Sequence, residues 1–323
     1  MQNSETILPV IVITGFLGSG KTSVLNRLLA DGIQTAVVIN EFGSCPIDQD
    51  LLKQQAFEMT VLSGGCLCCQ VKGALTPTLK NLRMAWEQAS EKPFWRLLIE
   101  TSGIASPEPI LDCLLRDRWL AKRYRLEQII TTLAAPAAAI QLQQFAEARR
   151  QLIWADQLLI TQSDLSTPVQ RDALYQQLTE LAPATPRQEV DGRQADWSVI
   201  GLAPPRLRAL VNAVAQAEHQ FHSISLYFES TPDWSVLQPL LQQWLTDFPA
   251  LLRIKGVIYP VDSAEALVVQ ASAGRLQPPV VLLPEAVSDR RSRLVLIMAA
   301  DRSALVARLQ YQLQAYLPSN GIR

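Results

Sequence analysis

Two patterns of apolar and polar residues alternate along the first half of the chain. Short apolar runs rich in β-branched residues predict buried strands, and between them apolar residues recur at helical spacing. The predicted strands are Leu8–Ile13, Thr35–Asn40, Arg96–Glu100, Ile129–Leu133 and Gln157–Thr161, and the predicted helices lie near 22–30, 74–89, 108–118, 141–154 and 169–181. Strands that alternate with helices predict an α/β fold with a mostly parallel sheet covered on both faces.

The pattern changes in the second half of the chain. Prolines punctuate a polar stretch over 183–206, which is typical of a linker or an interdomain loop. Beyond it the predicted strands lie at 222–228, 254–261, 266–272, 279–283 and 293–299, with helices near 233–247 and 302–316. We therefore predict a larger α/β domain over 1–190, a linker over 191–221 and a smaller α+β domain over 222–323.

The composition fits two folded domains and excludes several classes of partner. The chain has 323 residues, of which 48% are hydrophobic and 18% charged, so it can bury a substantial core. Its net charge of −1 offers no basic surface for nucleic acid. We see neither a membrane-spanning apolar run nor the start of a signal peptide, so we expect a cytoplasmic protein that binds no membrane.

A phosphate-binding loop is the strongest signal in the sequence. Residues 15–22 are Gly-Phe-Leu-Gly-Ser-Gly-Lys-Thr, the complete G-x-x-x-x-G-K-[ST] pattern, with a predicted strand before it and a helix after it. The glycines let successive N–H groups face one anion, and the helix N-terminus adds its dipole. Lys21 can reach the β- and γ-phosphates, and the Thr22 hydroxyl can ligate Mg²⁺. The candidate nucleotide-binding residues here are Gly15, Gly18, Ser19, Gly20, Lys21, Thr22 and Ser23.

Two acidic residues follow strands whose carboxyl ends share one edge of such a sheet. Glu100 ends the strand 96–100, and its carboxylate can hold Mg²⁺ through water. Gly103, three residues later, can offer its N–H to the γ-phosphate. Glu41 follows the second strand and can ligate Mg²⁺ or orient the attacking water, with an ordinary solvent-exposed carboxylate as the alternative. The candidate catalytic residues are therefore Lys21, Glu41 and Glu100.

A cysteine cluster is the second strong signal. Residues 64–69 are Gly-Gly-Cys-Leu-Cys-Cys, so Cys66, Cys68 and Cys69 can converge on one soft ion such as Zn²⁺ or Cu(I). Three thiolates leave one coordination position open, which suits a carrier that releases its ion. A redox pair with C-x-x-C spacing and three buried structural cysteines are the alternatives. Further candidate ligands are Cys45, His219 and His222.

Four motifs in order, GFLGSGKT, NEFG, GGCLCC and ETSG, resemble those of the CobW-like GTPases, which are metallochaperone-like relatives of the UreG and HypB nickel-insertion GTPases. The resemblance continues in Ser-Pro-Glu-Pro at 106–109 and Leu-Leu-Arg-Ile-Lys-Gly at 251–256, and it covers most of the chain. It implies a P-loop GTP-binding domain, a small C-terminal domain and a metal site coupled to the nucleotide state. It also implies GTP, GDP, Mg²⁺ and Zn²⁺ as ligands, with Co²⁺ or Ni²⁺ left open, and a metalloprotein client.

The resemblance also implies roles for single residues. It assigns the metal thiolates to Cys66, Cys68 and Cys69, the phosphate and Mg²⁺ contacts to Lys21 and Thr22, and the acidic positions near Mg²⁺ to Glu41 and Glu100.

Three departures from the family pattern bear on these roles. The guanine-reading motif is usually Asn-Lys-x-Asp, whereas this chain has Thr161, Gln162, Ser163 and Asp164. Asp164 can still accept from guanine N1–H and N2–H₂, but Thr161 and Gln162 are weaker partners, so we expect guanine preference with loosened specificity. The glutamate that often follows NEFG is replaced by Ser and then Cys45, which favours zinc. A histidine-rich linker is absent.

We therefore predict a GTPase that couples its nucleotide state to metal binding at the C-x-C-C loop, as a zinc metallochaperone would. A P-loop ATPase or small-molecule kinase with a structural zinc site is the alternative. Three thiolates per chain leave room for ligands shared between two chains, so a homodimer is also compatible with the sequence.

Overall fold

A computed structural model describes most of the chain. The described residues are 6–41, 59–63, 69–190, 222–228, 233–261, 265–272, 274–282 and 291–298, together with positions 309 and 312. They fall into two compact units, the first of which ends at Val190 and the second of which begins at His222 among these residues.

The first unit is an α/β unit built on one sheet. Its strands are β1 (Leu8–Gly15), β2 (Thr35–Glu41), β3 (Met59–Ser63), β4 (Arg96–Glu100), β5 (Tyr124–Ala134), β6 (Gln157–Thr161) and β7 (Arg187–Val190). Its helices are α1 (Lys21–Leu29), α2 (Cys69–Gln88), α3 (Glu108–Arg116), α4 (Arg118–Ala121), α5 (Ala138–Gln144), α6 (Ala146–Ile153) and α7 (Pro168–Leu181), with a 3₁₀ turn over Ser163–Leu165.

All seven strands run parallel, in the order β3-β2-β4-β1-β5-β6-β7. The inner strands β1 and β4 are almost wholly buried, because each has a neighbour on both sides and helices cover the sheet. One core face is formed by Val10, Val12, Leu97 and Ile99 together with Leu79 and Trp86 of α2 and Leu111 of α3. This architecture confirms the predicted α/β class, and it brings the carboxyl ends of all the strands to one edge of the sheet.

Two strands and one helix of this unit differ from the prediction. Neither β3 nor β7 is among the predicted strands, and assigning 183–206 wholly to a linker is wrong, because β7 pairs in parallel with β6 inside that stretch. The predicted helix over 141–154 is two helices separated at Phe145, whose backbone is extended. The ring of Phe145 stacks on that of Phe16 at 4.7 Å, which ties this break to the phosphate-binding loop.

The second unit is a smaller antiparallel sheet with one described helix, α8 (Trp234–Asp247), on it. Its strands are β8 (His222–Tyr227), β9 (Leu251–Ile258), β10 (Ala266–Ser272), β11 (Arg275–Leu276), β12 (Val280–Leu282) and β13 (Arg293–Met298). The sheet order is β11-β10-β9-β13-β8, and β12 pairs with β10. This confirms the predicted α+β class. The predicted helix over 302–316 lies outside the described residues except at 309 and 312, both of which are helical.

No helix in the described part of the chain is both long enough and apolar enough to cross a membrane.

An ion-pair network holds the C-terminal end of α2 against the start of the sheet. Arg83 is fully buried, lies over the ring of Trp86, and donates to the Glu87 carboxylate at 2.7 Å and to the Thr6 carbonyl at 2.8 Å. Glu87 also pairs with Arg123 at 3.3 Å. The hydrogen bond from Arg83 and the two positive charges lower the pKa of Glu87 below its ordinary value.

We expect Glu87→Gln to reduce the free energy of unfolding at neutral pH and to have little effect in acid. A carboxylate whose folded-state pKa is lowered stabilises the fold above its unfolded pKa, near 4.5, and this contribution is lost as the pH falls through the folded value. Urea unfolding at neutral pH and well below pH 4.5 measures the difference in the free energy of unfolding between the variant and the wild type. Glu91→Gln, at an exposed position close by, is the control, and a difference that is the same at both pH values would contradict the prediction.

Candidate functional site

The phosphate-binding loop connects the end of β1 to the start of α1, as the sequence predicts. Gly20 precedes α1 with a left-handed backbone, at φ 84°. Gly15 has φ 141°, and a Cβ there would lie 2.3 Å from the Thr132 hydroxyl and 2.5 Å from the Thr132 carbonyl oxygen. Only glycine fits at position 15, because both the backbone angle and the space exclude a side chain.

Lys21 is buried at the first position of α1, and its ammonium lies inside the loop. It donates to the carbonyl oxygens of Gly15 at 2.9 Å and Phe16 at 3.2 Å. These bonds hold the cation where the loop turns, so it is positioned to meet an anion bound there.

Thr22, in the first turn of α1, contacts Glu100, the last residue of β4. The Thr22 hydroxyl donates to Glu100 Oε1 at 3.1 Å, and Glu100 is only 4% exposed. They meet because β1 and β4 are parallel neighbours, with Ile13 opposite Glu100. A hydroxyl and a carboxylate are the hard oxygen donors that Mg²⁺ prefers, so these two side chains fit a magnesium ion. Ser23, the next residue of α1, is exposed.

A layer of hydroxyl groups lies beneath the loop, which sequence reasoning missed. Thr101 Oγ1 donates to Thr14 Oγ1 at 2.8 Å, and Thr132 Oγ1 donates to the Thr14 carbonyl at 3.2 Å. The Ser19 and Thr132 hydroxyls are 2.6 Å apart. In sequence these threonines resemble β-branched core residues, but their recurrence at the carboxyl ends of buried strands is a signal that could have marked them.

The segment after β4 packs against the loop at Leu17. Gly103 lies so close to Leu17 that a Cβ would be 2.6 Å from its side chain and 3.1 Å from its backbone. Gln151 of α6 donates its amide to the carbonyls of Gly103 at 3.3 Å and Ala105 at 2.9 Å. Nothing in the sequence marks Gln151, because a glutamine on a helix is ordinarily a solvent-facing residue.

The segment 161–164, in which we expected the guanine-reading motif, lies directly against the loop. Thr161 Oγ1 donates to the Ser19 carbonyl at 2.9 Å and more weakly to Leu133 O at 3.3 Å, while Gln162 Nε2 donates to the Gly18 carbonyl at 3.0 Å. A hydroxyl has one proton, so Thr161 would have to give up these bonds to donate to a guanine oxygen. Asp164 lies in the 3₁₀ turn and is exposed, which leaves its carboxylate available to a ligand.

Several predicted residues lie outside the described part of the structure. Cys45, Cys66, Cys68 and His219 lie outside it entirely, and of Glu41, Cys69 and His222 only the backbone is described. Within the described residues, no three metal-binding side chains form a cluster.

Strand order nevertheless shows where the chain leaves the sheet before the cysteine segment. This segment begins after Ser63, the last residue of β3, which pairs with Glu41 at the end of β2. The sheet order is β3-β2-β4-β1, so three strand spacings, about 14 Å, separate the exits of β3 and β1. Glu41 and Glu100 end the two strands that lie between them. The cysteine segment and the phosphate-binding loop therefore leave the same edge of the sheet.

Comparison with known proteins identifies both units. Residues 9–188 match the model of the CobW/HypB/UreG nucleotide-binding domain, and residues 221–313 match the cobalamin synthesis protein CobW C-terminal domain. The zinc chaperone YjiA of Escherichia coli is 28% identical over 268 residues, which cover 78% of this chain and 82% of that protein.

Two further matches are a relative that shares a shorter region and a solved structure of YjiA itself. Zinc-regulated GTPase metalloprotein activator 1 of Dictyostelium discoideum is 37% identical over 120 residues, which span 32% of this chain but only 24% of that protein. A crystal structure of Zn(II)-bound YjiA GTPase from E. coli superposes with a TM-score of 0.47 at 24% identity, covering 94% of this chain and 99% of that one.

We expect Gly103→Ala to weaken nucleotide binding by displacing the backbone of the phosphate-binding loop at Leu17. Overpacking of this kind costs about 1–3 kcal/mol, and a loss of that size in binding is roughly ten- to a hundredfold. Titration of a fluorescent GDP analogue measures it.

Gly32→Ala is the matched control for this variant. Gly32 has φ 83°, and no atom lies within 4 Å of the position that a Cβ would take, so alanine there strains the backbone without touching the site. It should lower stability and leave the nucleotide affinity unchanged. Equal affinities for Gly103→Ala and the wild type would contradict the prediction.

Proposed function

Because this chain belongs to the CobW/HypB/UreG family, we propose that it is a GTPase that converts GTP and water to GDP and phosphate and handles zinc as a metallochaperone. The family model covers residues 9–188, more than half of the chain, which confirms the resemblance of the four sequence motifs. The similar proteins named as zinc chaperones and as a zinc-regulated GTPase support both parts of the proposal.

The geometry of the phosphate-binding loop supports the nucleotide part. Lys21 lies inside the loop and would exchange its two carbonyl partners for the β- and γ-phosphates. Thr22 and Glu100 are the residues that would hold Mg²⁺, which supplies charge neutralisation between the phosphates when bound. The other proposed nucleotide contacts are Gly15, Gly18, Ser19, Gly20, Ser23, Gly103, Thr161, Gln162 and Asp164.

Catalysis in this proposal depends mainly on positioning and electrostatics. Burial of Glu100 keeps its carboxylate beside the Thr22 hydroxyl and out of bulk water. Glu41, at the end of the neighbouring strand, is proposed to orient the attacking water. The loop N–H groups and the ammonium of Lys21 would stabilise the charge that develops on the phosphate oxygens.

The observation that supports the proposed coupling is the strand order. The cysteine segment leaves the sheet after β3, and β2 and β4 lie between it and the phosphate-binding loop. We propose that Cys66, Cys68 and Cys69 bind zinc, and that Glu41 belongs to the segment that changes with nucleotide state. Ordering of such a segment by the γ-phosphate is the usual switch in nucleotide-dependent proteins. The γ-phosphate would then control release of the ion to a client metalloprotein.

The remaining parts of the proposal follow from the sequence. We propose a GTP-binding domain over 1–190, a linker over 191–221 and a C-terminal domain over 222–323, in a cytoplasmic protein. Cobalt or nickel in place of zinc, additional ligands from Cys45, His219 or His222, and a homodimer that shares the metal are compatible with this proposal.

Zinc affinity should differ between nucleotide states. We expect about a tenfold change in the zinc dissociation constant between the GTP·Mg²⁺ and GDP·Mg²⁺ forms, which corresponds to about 1.4 kcal/mol of coupling. Competition with a chromogenic chelator measures it, and a variant with Ser at positions 66, 68 and 69 serves as the blank. Equal zinc affinity in every nucleotide state would instead indicate a structural zinc site, as in a P-loop ATPase or kinase.

Lys21→Ala separates the two sites in this experiment. It should abolish nucleotide binding, because the cation that faces the phosphates is lost, and it should leave zinc binding by the nucleotide-free protein intact. The triple cysteine variant should do the reverse. Loss of both activities in either variant would show that the sites are not separable.

Asp164→Asn should shift preference from guanine to xanthine nucleotides. A carboxylate accepts from guanine N1–H and N2–H₂, whereas an amide offers one acceptor and one donor, which match xanthine N1–H and O2. We expect GTP affinity to fall roughly ten- to a hundredfold and XTP affinity to rise. Competition binding with GTP, XTP and ATP measures this, and Asp172→Asn, exposed on α7, is the control. A wild type that prefers ATP would contradict the guanine assignment.

A further inference from the structure

Five consecutive carbonyl oxygens of the phosphate-binding loop each accept a hydrogen bond from a side chain. Lys21 donates to the first two, at residues 15 and 16. The next three donors come from outside the loop: Gln141 of α5 donates to Leu17 O at 3.3 Å, Gln162 to Gly18 O at 3.0 Å and Thr161 to Ser19 O at 2.9 Å.

Fixing these carbonyls also fixes the groups that bind phosphate. In a trans peptide the C=O and the following N–H point in opposite directions, and the described part of the chain contains no cis peptide. A donor on the carbonyl of Leu17 or Gly18 therefore sets the direction of the next N–H along the loop. In a loop of this kind the N–H groups form the cradle for the anion.

The two glutamines act differently from Lys21. The ammonium of Lys21 must leave the Gly15 and Phe16 carbonyls to reach a phosphate, so the hydrogen bonds of Lys21 cannot hold the loop while the ligand is bound. Gln141 and Gln162 approach from α5 and from the end of β6, and nothing in the chemistry of binding requires them to move. They can hold the same peptide planes with and without a ligand.

The backbone of Gln162 adopts an energetically unfavourable conformation. Its φ of 57° is the one positive value at a non-glycine residue within the described chain. A left-handed backbone is unfavourable for a residue with a Cβ, and such strain concentrates at functional sites. In this conformation the amide reaches Gly18, so the observed hydrogen bond accompanies the strained backbone.

We propose that Gln141 and Gln162 are positioning residues that hold the peptide planes after Leu17 and Gly18 in the orientation that binds polyphosphate. The inference rests on the proposed nucleotide-binding function of the loop and assigns two residues to it. Their effect acts on the phosphates and is independent of the base.

The test uses Gln141→Met and Gln162→Gly in the full-length protein. Methionine keeps the length of the side chain but has no N–H donor, and glycine removes the donor while relieving the left-handed strain. We expect each variant to raise the KM for GTP by about tenfold with kcat little changed, because the lost interaction is made equally in the ground and transition states. Gln144→Met, exposed on the same helix, should change neither parameter.

Inorganic tripolyphosphate separates this role from a contact with the base. As a competitive inhibitor it occupies the phosphate cradle and carries no base, so its inhibition constant should rise by the same factor as the KM in both variants. An unchanged inhibition constant would overturn the proposal and would assign Gln162 to the base alone.

Stability measurements separate positioning from general destabilisation. Leu174→Ala removes a fully buried side chain of α7, so it should lower the thermal midpoint without changing the tripolyphosphate constant. If Leu174→Ala changes the inhibition constant of tripolyphosphate as much as the glutamine variants do, the proposed positioning role is wrong. If Gln141→Met folds poorly, Gln162→Gly still tests the role, because its relief of strain favours a stable fold.

The outcomes also distinguish this inference from the proposed function. If the wild type hydrolyses no GTP, the proposed function fails, and calorimetric titration with tripolyphosphate still tests the two glutamines. If the wild type is a GTPase and both variants bind tripolyphosphate as it does, the proposed function stands and the positioning role fails.

Discussion

The parallel pairing of β1 with β4 is the constraint on which the nucleotide site depends. It places Ile13 opposite Glu100, so that a carboxylate at the end of one buried strand meets the first turn of the helix that follows the other. The pairing of β1 with β5 is equally specific, because it brings Thr132 under Gly15 and leaves no room for a side chain there. Strand register, set by apolar residues far from any ligand, thus determines the positions of the polar groups.

The parts of the site that follow strong apolar strands could be predicted from sequence. Glu100 ends β4, and Lys21 and Thr22 follow β1 after the five loop residues 16–20; the burial of both strands is clear from their composition. In contrast, β7 has one apolar residue in four and pairs only with β6 among the described strands, so backbone hydrogen bonds hold it rather than a hydrophobic pattern. The break at Phe145 could not be predicted either, because it depends on a ring contributed by the distant Phe16.

The unusual guanine motif gains a physical explanation from the structure. Thr161 and Gln162 lack the amide and the cation of the usual pair, yet both are hydrogen bonded to the phosphate-binding loop. If the sequence motif alone is compared, Thr161 and Gln162 are interpreted as residues that weaken recognition of the base. The contacts agree with the proposal that orienting the loop and recognising the base are two separable functions of these positions. Neutral donors are sufficient to orient the loop, since a backbone carbonyl needs only a hydrogen-bond donor.

The position of β3 in the sheet has a mechanical consequence. Among the described strands, β1 is bonded on both sides, whereas β3 is bonded to β2 alone. Shifting β1 would break two ladders of hydrogen bonds, but shifting β3 would break only one. By this argument the sheet resists displacement more strongly where the phosphates would bind than where the cysteine segment begins. Under the proposed function, this difference, which the order of strands alone provides, would suit a protein that binds nucleotide tightly and releases its metal ion.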